Sequence, residues 1–161
     1  MLAALGALAA PFVPLRAQRV TAFEAGAGVA LALARHTMAG VELGAAYRPR
    51  AAGQSRVALA VAAGSEDGRA AMRVQLTAQF LVTPTARRGA GLYGGLGVAF
   101  AGRRGAAGGG YLALLIGLES APGGSAGTRG SGGWYAELGL AGGARVAAGW
   151  RGRWFSGRRP G

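Results

Sequence analysis

A two-residue beat runs along this chain and returns about eight times, and it limits the fold more than any other feature. Its cleanest copy is Met72-Arg-Val-Gln-Leu-Thr-Ala-Gln-Phe-Leu-Val82. Met72, Val74, Leu76, Ala78, Phe80 and Val82 share one face; Arg73, Gln75, Thr77 and Gln79 share the other, and Leu81 alone breaks the pattern. A period of two is that of a β-strand with one apolar and one polar face, because successive side chains point to opposite sides of the pleat. The expected sets run over Phe23–Leu33, Val41–Arg48, Arg56–Ala63, Met72–Val82, Leu92–Phe100, Tyr111–Glu119, Trp134–Leu140 and Arg145–Trp154. Between them lie joints rich in Gly and Pro, such as Pro49–Gly53, Ser65–Gly68, Pro84–Gly89, Arg103–Gly110 and Ala141–Gly143, which supply turn angles and do not continue a ladder. Ser120–Gly133 reads as a low-complexity loop. In the first and third sets the second face is mostly Ala and Gly, so composition alone also permits helix there; Gly26 and Gly28 argue against it in the first set, at about 1 kcal/mol per interior Gly.

The second face decides what the bulky face meets. A soluble sandwich hides the bulky face and shows a charged one to water, whereas a membrane barrel turns the bulky face to lipid. Here the second face is mainly Gly and Ala with scattered charges, a poor solvated surface but a good lining for a narrow barrel. Four of the six acidic residues lie on it. Glu24, Glu119 and Glu137 are expected near the rim that carries the chain termini, with Arg48, Arg56 and Arg151. Glu42 is expected toward the other rim, with Arg73 and Arg145; Arg153 shares the same face. Buried charges must be paired, so Glu–Arg bridges filling the lumen are expected, rather than an open ion path. On the outward face Phe23, Tyr47, Phe80, Trp134 and Trp154 gather toward the terminal end, as an aromatic girdle at a membrane interface does. Strand propensity of aromatic residues accounts for the same pattern.

Composition narrows the alternatives. The 161 residues suit one domain. Mean hydropathy is +0.28, yet no stretch approaches the roughly 20 apolar residues of a spanning helix. A net charge of +12 suggests nucleic acid, but all 18 basic residues are dispersed Arg with no Lys, no basic helix and no RNA-binding signature, so no nucleic-acid partner is expected. Without Cys and with one His, neither a disulfide framework nor a metal site is expected, and no cofactor motif is present: Gly102–Gly110 lacks the Lys-Ser/Thr and the helix of a phosphate loop. Residues 1–17 read as a secretory signal with a cleavage position at Ala17-Gln18, although no basic residue precedes the apolar run; a buried core segment is the alternative. The barrel domain is expected over 18–155, followed by a short polar tail at 156–161.

The chain from Thr21 to Phe155, with a final strand Arg145–Phe155 that ends in aromatics, resembles the small eight-stranded outer-membrane β-barrels of the OmpA/OmpX type. The resemblance implies an all-β, antiparallel, up-and-down transmembrane barrel in the outer membrane of a Gram-negative cell. It also implies periplasmic termini, outer-membrane lipids as surroundings and assembly by the outer-membrane insertion machinery, and a monomer is expected. Two departures stand out: Ser156–Gly161 follows the terminal aromatic, and the terminal-side connections are longer than the outer ones. Short outer loops argue against a large adhesive surface. The expected function is a structural or weakly permeable, porin-like, non-enzymatic barrel. One alternative is a lipid A-modifying enzyme drawing on His36 with Ser65, Glu66 and Asp67 in neighbouring outer joints. The other is a soluble periplasmic barrel that binds an apolar ligand.

Overall fold

The alternation becomes eight strands: β1 Thr21–Leu33, β2 Thr37–Arg48, β3 Ser55–Glu66, β4 Arg69–Leu81, β5 Ala90–Arg103, β6 Gly109–Ser120, β7 Gly130–Leu140 and β8 Ala144–Ser156. The computed structural model describes residues 21–49, 53–123 and 130–156. The expected signal segment 1–17, most of the polar tail, and parts of the Pro49–Gly53 and Ser120–Gly133 joints lie outside the described residues. Each strand pairs antiparallel with the next, and β1 pairs with β8, so the sheet closes into a barrel without an edge. Closure leaves no unpaired row of backbone donors and acceptors. The Ala-rich first and third sets are strands, not helices. Both neighbours of each offer a ladder in register, and that non-local pairing outweighs the helical preference of Ala.

The connections on the two ends differ. At the end away from the termini they are short: 34–36, 67–68, 104–108 and 141–143. The tightest is Asp67-Gly68, where both residues take positive φ (50° and 77°), the mirror-image turn that matches strand twist and favours Asp-Gly. At the terminal end the connections 49–54, 82–89 and 121–129 are longer. The described residues of two of these connections bond to each other: the Ala121 N–H donates to the Gly89 carbonyl (2.9 Å) and the Gly123 N–H to the Ala86 carbonyl (2.8 Å).

The two faces are inverted relative to a water-soluble protein. Leu112, Leu114, Ile116 and Leu118 all point outward, Leu112 with 82% of its surface exposed, while Glu24, Glu119, Arg56 and Arg153 are essentially inaccessible inside. Leu81, which breaks the alternation by type, keeps it by position: it follows Arg73, Gln75, Thr77 and Gln79 into the lumen and is fully buried. There it packs with Tyr93 and Leu115 in a small apolar cluster beneath the terminal-end loops.

Candidate functional site

The lumen is the candidate site, and it is built by parity. Alternate positions of every strand project inward, so Glu24 of β1, Arg48 and Glu42 of β2, Arg56 of β3 and Arg73 of β4 face Glu119 of β6, Glu137 of β7 and Arg145, Arg151 and Arg153 of β8. Small residues make the room. Tyr93 lies across Gly117, its register partner on β6, so closely that a Cβ there would sit 2.3 Å from the ring. An aromatic laid over a cross-strand glycine covers the backbone the glycine leaves bare.

The terminal half of the lumen is cross-linked around one carboxylate. Glu119 Oε2 accepts from Arg151 Nη1 (2.7 Å), Arg56 Nη1 (2.9 Å) and Arg153 Nη2 (3.1 Å). Arg56 Nη1 also donates to Glu24 (2.7 Å), and its Nε donates to Gln79 Oε1 (2.8 Å). Arg56 stacks over the Tyr93 ring at 4.6 Å, and Arg151 over Tyr135 at 4.6 Å. Such stacking suits the weakly hydrated planar guanidinium. Arg48 closes the mouth: Nη1 donates to the Pro122 carbonyl (2.9 Å), Nη2 to the Pro84 carbonyl (3.1 Å), and Glu24 lies 3.6 Å away. Arg48 therefore ties Pro84 and Pro122, from two terminal-end connections, to the barrel mouth.

Glu137 joins the two halves. It accepts from the Tyr93 hydroxyl (2.7 Å) and from Arg145 (2.9 Å), and Arg151 lies at 3.4 Å. It is thus shared between the ends rather than confined to the terminal cluster. Arg145 also pairs with Glu42. Arg73, grouped by sequence with Glu42 and Arg145, instead donates Nη2 to the Ala141 carbonyl at 2.5 Å. Beside these side chains, the cavity in the middle of the lumen measures only about 30 Å³. That is room for a water or so, not for a continuous channel. At the outer mouth a larger cavity of about 240 Å³ opens between the short loops.

Away from the lumen, His36 Nδ1 lies 2.5 Å from Asp67 and Arg103 lies 3.7 Å from the same carboxylate, so neighbouring outer joints do meet. Ser65 stands on the outward face of β3, while His36 and Glu66 line the outer cavity. The structure does not bring the hydroxyl to the imidazole. Among the described residues no group of three or more His, Asp or Glu is placed to hold a metal. The aromatics Phe23, Tyr47, Phe80, Trp134 and Trp154 all project outward, and Phe23 and Trp154 stack at 6.2 Å. The roles of Tyr93, Tyr135 and Gln79 went unread in the sequence. Their lumen parity was the available signal, but which guanidinium each would meet depends on closure across several strands.

No family model matches this chain, and no curated protein does. Among solved structures, the N-terminal β-barrel domain of Pseudomonas aeruginosa OprF superposes with a TM-score of 0.54 at 17% identity, covering 86% of this chain and 98% of that one. The chain has the eight-stranded outer-membrane barrel fold. Neisserial surface protein A aligns over 83% of this chain and 94% of its own at 13% identity, with a TM-score of 0.49. At 17% identity the likeness to the OprF domain is one of fold.

Proposed function

We propose that this chain is an integral outer-membrane barrel with a side-chain-filled lumen, non-enzymatic, and structural or passing at most small ions. The observation that carries the reading is the inversion of faces: bulky apolar side chains cover the outside while the Glu and Arg side chains are buried within. In water such an outside would be a contiguous apolar surface far beyond the few hundred Å² a soluble monomer tolerates. In lipid it is the favourable surface. Strand length fits as well. Twelve or thirteen residues at about 3.3 Å each, tilted by roughly 40°, reach across the ~30 Å hydrocarbon core of a bilayer. Phe23, Tyr47, Phe80, Trp134 and Trp154 would mark the terminal-side interface. Surroundings of outer-membrane lipid, delivery by the insertion machinery and a monomeric state follow from the same reading.

Refolding into detergent tests it. The folded chain should migrate faster than the boiled chain on a denaturing gel and should precipitate when detergent is withdrawn. A folded chain that stays monodisperse in plain buffer would favour the soluble apolar-ligand barrel instead. The enzyme reading draws on one contact, His36 to Asp67, which would orient an imidazole. With Ser65 directed away from it, the reading lacks a nucleophile.

A further inference from the structure

Arg73 is the anomaly of the lumen. Arg48, Arg56, Arg145, Arg151 and Arg153 each have a carboxylate within ion-pair range. Among the described residues Arg73 has none, although it is buried to 7% exposure. Its one hydrogen bond goes to a neutral carbonyl, that of Ala141; its Nε is buried without a hydrogen bond, as are those of Arg145 and Arg153, so the missing carboxylate is what sets it apart. The carboxylate nearest in the register, Glu42, is already engaged by Arg145. An arginine does not shed its proton to escape this situation, because guanidinium stays charged throughout the accessible pH range. A buried cation of this kind calls for an anion.

The place for one is next to it. Arg73 forms part of the wall of the 240 Å³ outer cavity, together with Arg103, His36, Tyr111, Met38 and Glu66. The cavity opens at the mouth ringed by short loops, while Arg48 ties Pro84 and Pro122 to the opposite mouth. It is therefore a blind pocket with a cationic floor, two of its lining residues being Arg. At about 30 Å³ of liquid volume per water, it has room for a small tetrahedral or planar oxyanion with part of its hydration shell. A guanidinium in the cavity wall is well suited to carboxylate or phosphate oxygens, which it can meet with more than one N–H. Glu66 on the wall and Asp67, held by His36 and Arg103, set the limit on the charge the pocket accepts.

We infer that the outer cavity is a binding site for a small oxyanion, a phosphate group in particular, with Arg73 as the anchoring cation and Arg103 at its entrance. The phosphate could be a free ion or the headgroup of a lipid reaching over the rim; the chemistry of capture is the same. The inference needs the closed barrel and not its placement in a membrane.

Equilibrium dialysis of radiolabelled inorganic phosphate against the folded chain in a non-ionic detergent is the test. Wild type should bind one equivalent saturably. Arg73→Gln should weaken binding at least tenfold, and Arg103→Gln several-fold. Arg73→Lys, which keeps the charge, should lose less than Arg73→Gln. Arg87→Gln, in an exposed terminal-end loop, should bind as wild type does. Heat-modifiable migration reports whether each variant folds; should Arg73→Gln fail to fold, Arg73→Lys and Arg103→Gln carry the comparison. Competition then identifies the source. Displacement by short-chain phosphatidic acid at lower concentration than by free phosphate points to a headgroup, and displacement only at equal or higher concentration points to the free ion. Absence of saturable phosphate binding by wild type, or unchanged binding in the folded Arg73 and Arg103 variants, overturns the inference.

Discussion

The two halves of the lumen are made from the same residue types and behave differently. In the terminal half one carboxylate, Glu119, gathers three arginines, two tyrosine rings back the guanidinium planes, and a fourth arginine holds Pro84 and Pro122 at the mouth. In the outer half Arg145 sits between Glu42 and Glu137, Arg73 bonds only to a carbonyl, and a cavity remains. The difference lies in which arginines the carboxylates reach and in loop length, not in the strands. Connections at both ends offer carbonyls to a buried cation: Pro84 and Pro122 together accept from Arg48 at the terminal end, and Ala141 of the short 141–143 turn accepts from Arg73 at the outer end. The barrel is therefore covered where two connections meet over one arginine, and left open where a single turn carbonyl does so.

Substitutions should separate the halves in a definite order. The largest effect is expected from Glu119→Gln, which strips the common partner from three buried arginines. It should cost about 3–5 kcal/mol in urea unfolding of the vesicle-inserted protein, the range for breaking a buried ion pair by removing one member. Glu42→Gln, in the outer half, should cost less, since Arg145 keeps Glu137. Equal losses for the two would erase the distinction. Packing should follow the same order. Gly117→Val drives a side chain into the Tyr93 ring and should cost about 1–3 kcal/mol, whereas Gly110→Ala near the outer mouth meets nothing within 4 Å and should stay within about 0.5 kcal/mol of wild type.

Conductance tests the plug. Arg48→Gln releases the Pro84 and Pro122 carbonyls but leaves the Glu119 and Glu137 contacts in mid-lumen in place, so single-channel conductance in planar bilayers should stay at the wild-type level, as it should for Glu66→Gln at the outer mouth. A several-fold rise from Arg48→Gln would mean that the loop cap, not the plug in mid-lumen, sets permeability. The smallest effect is expected from His36→Ala. Lipid A mass spectra from cells carrying it should match wild type, and a change in acyl composition would revive the enzyme reading.

Much of this architecture is legible in the alternation, because parity alone assigns a residue to the inside or outside of a closed sheet. Glu24, Glu42, Glu119, Glu137 and the arginines from Arg48 to Arg153 can be placed on one face that way. Which partners meet cannot be read, since Arg56 reaches Glu119 only after the barrel closes across strands far apart in the chain. The same holds for Arg73: its chain neighbourhood suggested Glu42, and the geometry gives that carboxylate to Arg145. Leu81 shows the opposite failing. Judged by hydrophobicity it breaks the pattern; judged by position it belongs to the lumen. The loop cap was hidden because Pro84 and Pro122 look like ordinary turn residues until Arg48 is seen beneath them.

Under the proposed function the bulky face meets lipid and the charged face does not, and the three tryptophans report on it without mutation. Trp134, Trp150 and Trp154 all project outward. Their fluorescence should be quenched strongly when the protein is folded into vesicles of lipids brominated along the acyl chain, and weakly by aqueous iodide. Strong iodide quenching with no effect of the brominated chains would place that face in water and contradict the account.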